Sequence, residues 1–369
     1  MKKTTAAFQP WTTAVVVIRT VALLVLLAFI YLFVDNKPLS AGTGTVTPLT
    51  VFWKLIVPLV PVILFVVPAA WRNICPLAIF NIVGYRLRAF FEGSAERRSR
   101  GRLSLADPGI RLWLCRNGIY IAILLLCVLV PARLFLFNTN AQALALLLLF
   151  LAFATFSCGL ILPFKAGWCS SICPVYPVEN LYGMSPFVYM DNTLCVENAF
   201  EGRPQTLCGG CTRHCLDLTV GAAAGASTHT QAQWRPGQAL KHFISAFPGF
   251  VLAYWLLDSN QLAYHLPGYA GTFVIYAAFA VAMLIFAGSV LIVRRGMGLK
   301  KLDQLTVFRQ QDLILVALAF NLYYWMAVPG AIETFGSLIG MADAVIFPLS
   351  GVVLAGVALL TVAWLRRAW

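Results

Sequence analysis

The chain is written in long apolar blocks separated by polar ones. Apolar stretches occupy 12–34, 48–70, 118–137 and 141–162, and after a polar gap four more follow at 243–257, 271–293, 312–328 and 345–365. A hydrocarbon core about 30 Å thick takes about 20 helical residues to cross, so the pattern predicts eight transmembrane helices. The block 243–257 is the shortest and is interrupted by Pro248. Between the two sets of four lies 163–242, the one sizeable polar interval besides the segment 71–116.

Composition agrees with that pattern. The 369 residues are 60% hydrophobic and 11% charged, where soluble domains carry roughly 25% charged residues. The expected fold class is an all-α polytopic membrane protein with about eight transmembrane helices and an extramembrane insertion, which the charge and cysteine patterns below make a cytoplasmic, ferredoxin-like cysteine-rich one. Three parts are expected: residues 1–162 as a four-helix membrane part with a basic cytoplasmic loop at 71–116, 163–242 as an extramembrane segment, and 243–369 as a second four-helix membrane part.

Charge orients the helices, because Lys and Arg in short loops stay on the cytoplasmic side. Segment 71–116 holds nine Arg against three acidic residues, and 294–311 holds five Lys or Arg against one Asp. Loops 256–271 and 329–344 hold no Lys or Arg, and 35–47 holds only Lys37. Eight spans then put both termini inside, in keeping with Lys2 and Lys3 at one end and Arg366 and Arg367 at the other. The net charge of +13 reads as topology and not as a nucleic-acid footprint, because the basic residues are divided among inner loops. The N-terminal block reads as a retained signal anchor, being longer than a cleaved signal core and holding Arg19. A bacterial inner-membrane, multi-pass location is expected, with termini and polar interval in the cytoplasm.

Six of the ten cysteines fall in the polar interval: Cys169, Cys173, Cys195, Cys208, Cys211 and Cys215. In the cytoplasm thiols stay reduced, so an even count does not imply disulfides. Cys208, Cys211 and Cys215 read C-x2-C-x3-C, and Cys195 precedes them by thirteen positions. This is like the ferredoxin run C-x2-C-x2-C-x3-C-P with its first gap opened. Closely spaced soft thiolates can each take one iron of a cubane, and Gly209 and Gly210 permit a tight turn. Structural zinc sites show two C-x2–4-C pairs, of which only Cys208/Cys211 fits. A c-type haem needs C-x-x-C-H, and His214 stands before Cys215 instead. His214, His229, His242 and His265 all lie away from the middle of a span, which disfavours haem b. His214 can hydrogen-bond a cluster sulfide or be a solvated loop residue.

A phrase also repeats. "WRNICPLAIFNIVGY" at 71–85 and "CSSICPVYPVENLYG" at 169–183 both place Ile-Cys-Pro at the inner end of a span, then an Asn (Asn81, Asn180) and a Gly (Gly84, Gly183). We read a degenerate duplication of a two-helix unit with a Cys-Pro exit, with chance likeness of two membrane exits as the alternative. Cys75 is the counterpart of Cys173, and Trp71 stands where the second unit has Cys169. If two cubanes want eight ligands, Cys75 is a seventh and either Cys158 or Cys115 an eighth. Cys127, mid-span, reads as core filler.

"GWCSSICPVYPVENLYG" followed by "LCGGCTRHCLDL" resembles the NapH/NosR/FixG group of bacterial membrane iron–sulfur (4Fe-4S ferredoxin-type) proteins, over roughly 48–220. The resemblance implies C-x3-C-P and ferredoxin-type motifs that ligate [4Fe–4S] clusters at the cytoplasmic face and pass electrons in respiratory or oxidase-maturation systems. It carries a ligand role onto Cys169, Cys173, Cys208, Cys211 and Cys215, and by extension onto Cys195 and Cys75. This chain departs from the group in lacking the first cysteine of the first C-x3-C-P and in having Leu216 where ferredoxins have Pro.

Arg19, Lys54 and Arg133 lie in or beside spans, close enough to an interface to snorkel, and Arg19 could alternatively meet a quinone headgroup. Trp255, Tyr264, Tyr323, Tyr324 and Trp325 read as interfacial belt. No catalytic acid–base pair or nucleophile arrangement is evident. The function expected is electron transfer through one or two [4Fe–4S] clusters. The donor would be a cytoplasmic ferredoxin-like protein or a quinol, and the acceptor a membrane oxidoreductase. A redox-linked metalloenzyme maturation factor and a zinc-binding sensor or transporter are the alternatives.

Overall fold

The computed structural model describes residues 9–35, 37, 39–41, 44–91, 108–162, 168–169, 171–183, 187, 236–259, 268–296 and 301–368. Eight helices in it are long and apolar enough to cross a membrane, and the protein is an all-α, multi-pass membrane protein. They are α1 (Gln9–Asp35), α2 (Pro48–Val66), α5 (Pro108–Ala132, continued by a π-helical turn Arg133–Phe137), α6 (Ala141–Ile161), α8 (Pro236–Ser259), α9 (Gly268–Gly296), α10 (Lys301–Ile339) and α11 (Asp343–Ala368). Three shorter helices lie between them: α3 (Pro68–Ile74), α4 (Pro76–Phe91) and α7 (Tyr176–Tyr182). Strands β1 (Leu39–Ala41) and β2 (Gly44–Val46) pair as an antiparallel ribbon joining α1 to α2.

The expected spans stand, with two instructive differences. The block interrupted by Pro248 is a continuous helix, and it is the most enclosed of all: 67% of its span is buried, against 11% for α1, α9 and α11. α8 packs on α5, α9 and α10. It can be less oily than its neighbours because protein, not lipid, surrounds it. Gly249 follows Pro248, and a side chain there would strike the backbone carbonyl of Ala282 on α9, so small residues set the helix crossing as in other membrane bundles. The second difference lies in 71–116, expected as a basic loop. Residues 76–91 form α4, which lies along the second half of α6. Its Arg residues had masked an apolar face built from Ala78, Ile79 and Ile82.

Prolines shape several spans. A proline in a helix removes one backbone donor and clashes with the preceding turn, and membrane helices absorb this by local π adjustment. α2 has a π-helical segment Phe52–Ile56 just before Pro58, and α5 passes into its π turn just after Pro131.

One core draws on both sides of the polar interval. Leu64 and Phe65 of α2, Phe247 of α8, Phe320 of α10 and Trp364 of α11 meet there, with Phe65 stacked on Phe320 (4.1 Å between centroids) and on Trp364 (4.8 Å). Tyr182, at the end of α7, is wedged edge-on against Phe65, Phe247 and Phe320. Tyr324, expected in an interfacial belt, is also in this core, its hydroxyl donating to the Pro58 carbonyl. Trp325 beside it is exposed, in keeping with the belt.

Candidate metal centre

Two Cys-Pro corners build the site. The residue before a proline is pushed out of the α region toward extended geometry. Cys75, before Pro76, has φ −55° and ψ 121° and separates α3 from α4. Cys173, before Pro174, likewise stands at the corner that leads into α7. Each thiol therefore sits on a bend at the N-terminal approach to a helix. Upstream of the second corner, the amides of Ser171, Ile172 and Cys173 all donate to the Trp168 carbonyl, at 3.2, 3.0 and 2.9 Å. This winds 168–173 into a compact turn that offers Cys169 and Cys173 from one short segment.

Glycines bring these pieces against the membrane helices. A side chain at Gly159 of α6 would collide with the Asn81 carbonyl, and one at Gly84 of α4 with the Phe156 carbonyl. Across the same contact Asn81 Nδ2 donates to the Thr155 carbonyl (3.2 Å) and Arg88 Nη1 to the Leu160 carbonyl (3.2 Å). The partners advance together along both chains, so α4 and α6 run in the same direction. On α5, a side chain at Gly118 would overlap Ser171, so the wound turn rests directly on that helix.

The result is a compact cluster in which Cys75, Cys158, Cys169 and Cys173 pack with Ala78, Leu151, Ala154, Trp168 and Ile172. The described cysteines are thiols, none in a disulfide. Cys127 packs against the main core, away from this cluster, as its filler reading expects. Of the expected ligands, the fold thus brings together Cys75, Cys169 and Cys173. It adds Cys158, one of the two residues considered for an eighth ligand. The Cys115 side chain and Cys195, Cys208, Cys211, Cys215 and His214 lie outside the described residues.

Burial pushes the Cys173 thiol up from the usual 9.0 to about 12. The nearby Cys75 adds to this, while backbone N–H groups of Val175 and Tyr176 work against it. An apolar nest of this kind holds thiols as neutral S–H unless a cationic centre compensates the thiolates. Among the described residues no three His, Cys, Asp or Glu side chains are placed to hold a metal ion. A single tetrahedral ion draws all its sulfurs to within bonding distance of one point. A cubane binds each thiolate through a different iron and so accepts a wider set.

A further feature was not foreseen. Trp168 is 4% exposed, and its indole N–H finds no acceptor among the described residues. A buried indole N–H ordinarily has a partner. The sequence signal was the tryptophan's place directly before Cys169.

Elsewhere, Arg133 lies with its guanidinium carbon 4.0 Å from the Trp53 ring and 5.0 Å from that of Tyr254, and its Nε donates to Asn138 Oδ1 at 2.9 Å. Lys54 is exposed. These cations stand at the membrane face opposite the cysteines. Compared with family models, characterised proteins and solved structures, the chain has no match in any of the three.

Proposed function

We propose that this chain is a membrane-bound electron-transfer protein that holds one or two [4Fe–4S] clusters on its basic face. The observation that carries the reading is the meeting of two Ile-Cys-Pro corners, distant in sequence, in one apolar nest with Cys169 and Cys158. When bound, a [4Fe–4S] cluster supplies reversible one-electron transfer.

The chain's own residues would do the rest. Cys75, Cys169 and Cys173 bind, and Cys195, Cys208, Cys211 and Cys215 offer the ferredoxin-like run. Pro76 and Pro174 hold the corners. Trp168, Ala78, Leu151 and Ile172 exclude water, and the amides of Val175 and Tyr176 stabilise charge on the Cys173 sulfur. Exclusion of water and hydrogen bonds to sulfur are the means by which a protein sets such a potential.

Orientation follows from charge. Arg88 donates to the last turn of α6, Arg294 pairs with Asp312, and Arg367 donates to the Phe187 carbonyl (2.9 Å). By the alternation of spans, these ends share a face with the cysteine nest. Arg295 and Arg366 lie there too. The positive-inside rule makes that face cytoplasmic and supports a bacterial inner-membrane location. The donor is then a cytoplasmic ferredoxin-like protein or a quinol, and the acceptor a membrane-associated oxidoreductase.

The deciding experiment is anaerobic purification from membranes, with iron and acid-labile sulfide assays and EPR of the dithionite-reduced protein. Iron and sulfide in equal amounts with a fast-relaxing reduced signal are expected. A colourless protein that contains zinc, or no metal, would end the reading.

A further inference from the structure

We infer that the membrane face opposite the cysteines carries a phospholipid-headgroup site, in which Arg133 and Lys54 hold the phosphodiester of a lipid in that leaflet. The site owes nothing to the cysteines or to a metal. Both π-helical segments among the described residues meet there. One, Phe52–Ile56 of α2, carries Trp53 and Lys54, and the other, Arg133–Phe137, follows α5. A hydrogen bond from Trp53 Nε1 to the Phe137 carbonyl (3.0 Å) ties the two together. Such segments re-aim side chains that a regular helix would place elsewhere, and they recur at functional sites.

The charges at this point are held but not paired. The rings of Trp53 and Tyr254 seat the Arg133 guanidinium, and Asn138 takes its Nε. A guanidinium has five N–H donors in a rigid fork, so those on the two Nη atoms are left for another acceptor. The stem of Lys54 lies along Gly330 of α10, where a side chain would stand 3.5 Å from its Cδ. Asp258, the last residue of its span, feels the charge of both cations. Among the described residues it nonetheless forms an ion pair with neither. Two cations against one carboxylate leave a single positive charge uncompensated.

Charge and depth select the ligand. A phosphodiester carries one negative charge and makes the site neutral, whereas a phosphate monoester carries about −1.5 to −2 and leaves it negative. The open fork of an arginine suits two phosphate oxygens at once. Asp258 ends one span, and Arg133 lies in the last turn of the span Asn117–Phe137, which puts the site at headgroup level, where Trp and Tyr also gather. A phospholipid brings its phosphate to that depth, while a soluble anion must leave water to reach it.

The test uses the full-length protein, delipidated in detergent, with phosphatidylglycerol as the probe. Native mass spectrometry is expected to show one lipid retained per chain, and added lipid to raise the unfolding temperature. Lys54→Gln and Arg133→Met should each lose the retained lipid and the lipid-dependent rise, whatever their starting stability. Lys37→Gln removes another cation of the same face, an exposed one paired with Asp35, and should behave as wild type. If Arg133→Met does not fold, Arg133→Lys keeps the charge without the fork, and weaker retention is expected. Equal losses in Lys37→Gln and Lys54→Gln would reduce the effect to general attraction and overturn the site. An equal rise with inorganic phosphate alone would assign these residues to a soluble anion and overturn the lipid as ligand. Wild-type protein that retains no lipid overturns the proposal outright.

Discussion

At the scale of single residues, glycine decides how near the cysteine-bearing pieces can come. A Cβ on Gly159 would meet the Asn81 carbonyl, which is backbone and cannot swing aside, whereas one on Gly356 would meet nothing within 4 Å. Overpacking of a close contact costs about 1–3 kcal/mol, while Gly→Ala in an open helix position gains roughly 0.5–1 kcal/mol. Gly159→Ala should therefore lower the unfolding temperature in detergent and reduce the iron bound, and Gly356→Ala should leave iron unchanged and raise the temperature slightly. Cys173 provides a second prediction. Its thiol in the folded, cluster-free protein has a pKa of about 12, above the usual 9.0. A group whose folded pKa is raised binds its proton more tightly when native, so its contribution to stability is complete below pH 9 and is lost as pH climbs toward 12. Cluster-free protein should thus be labelled at Cys173 by iodoacetamide far more slowly at pH 8 than an ordinary thiol. Rapid labelling there would show that the nest is open to water.

At the scale of elements, bends matter as much as helices. Pro76 keeps Cys75 extended at the junction of α3 and α4. Pro76→Ala frees that residue to join one continuous helix, and we expect lower iron content with helical content by circular dichroism preserved or raised. On the far side, Arg133 is held by two aromatic rings at a π turn. A partly desolvated cation–π contact is worth roughly 1–2 kcal/mol, so Arg133→Met should reduce thermal stability while leaving iron content at the wild-type level. The spans were legible from sequence because a bilayer demands blocks of apolar residues, and the Cys-Pro corners because a proline dictates the geometry of the residue before it. α4 was not, because its arginines dominated a charge count while Ala78, Ile79 and Ile82 quietly formed a buried face. Nor could sequence place Cys158 beside Cys75, Cys169 and Cys173. That placement depends on which helix α4 leans against, and it is set by contacts between residues more than 70 positions apart. The enclosed position of α8 was hidden for the same reason, since its moderate apolarity reflects protein neighbours.

At the scale of the whole molecule, one face gathers the arginines at the ends of α4, α9 and α11 together with the cysteine nest, and the other carries the β-ribbon and the Arg133 turn. A membrane-impermeant thiol or protease probe should reach an epitope inserted after Gly296 only in inverted vesicles, and one inserted at Gly340 only in intact spheroplasts. The reverse pattern would place the cysteines outside the cell. The Arg294–Asp312 pair, with side chains only 15% and 11% exposed, ties α9 to α10 on the arginine face. Removing one member of a shielded pair strands the other charge at a cost of about 3–5 kcal/mol, so Asp312→Leu should weaken the bundle far more than loss of the exposed Lys37–Asp35 pair.

The wedging of Tyr182 among Phe65, Phe247 and Phe320 also dictates an order of manufacture. A ribosome releases Phe65 and Tyr182 long before it reaches α10 and α11, so the segment carrying Cys169 and Cys173 emerges with half its seat still unmade. Until Phe320 arrives, that segment is held only by Phe65 and by its seat on α5, and under the proposed reading this is the interval in which iron and sulfide would be delivered to it.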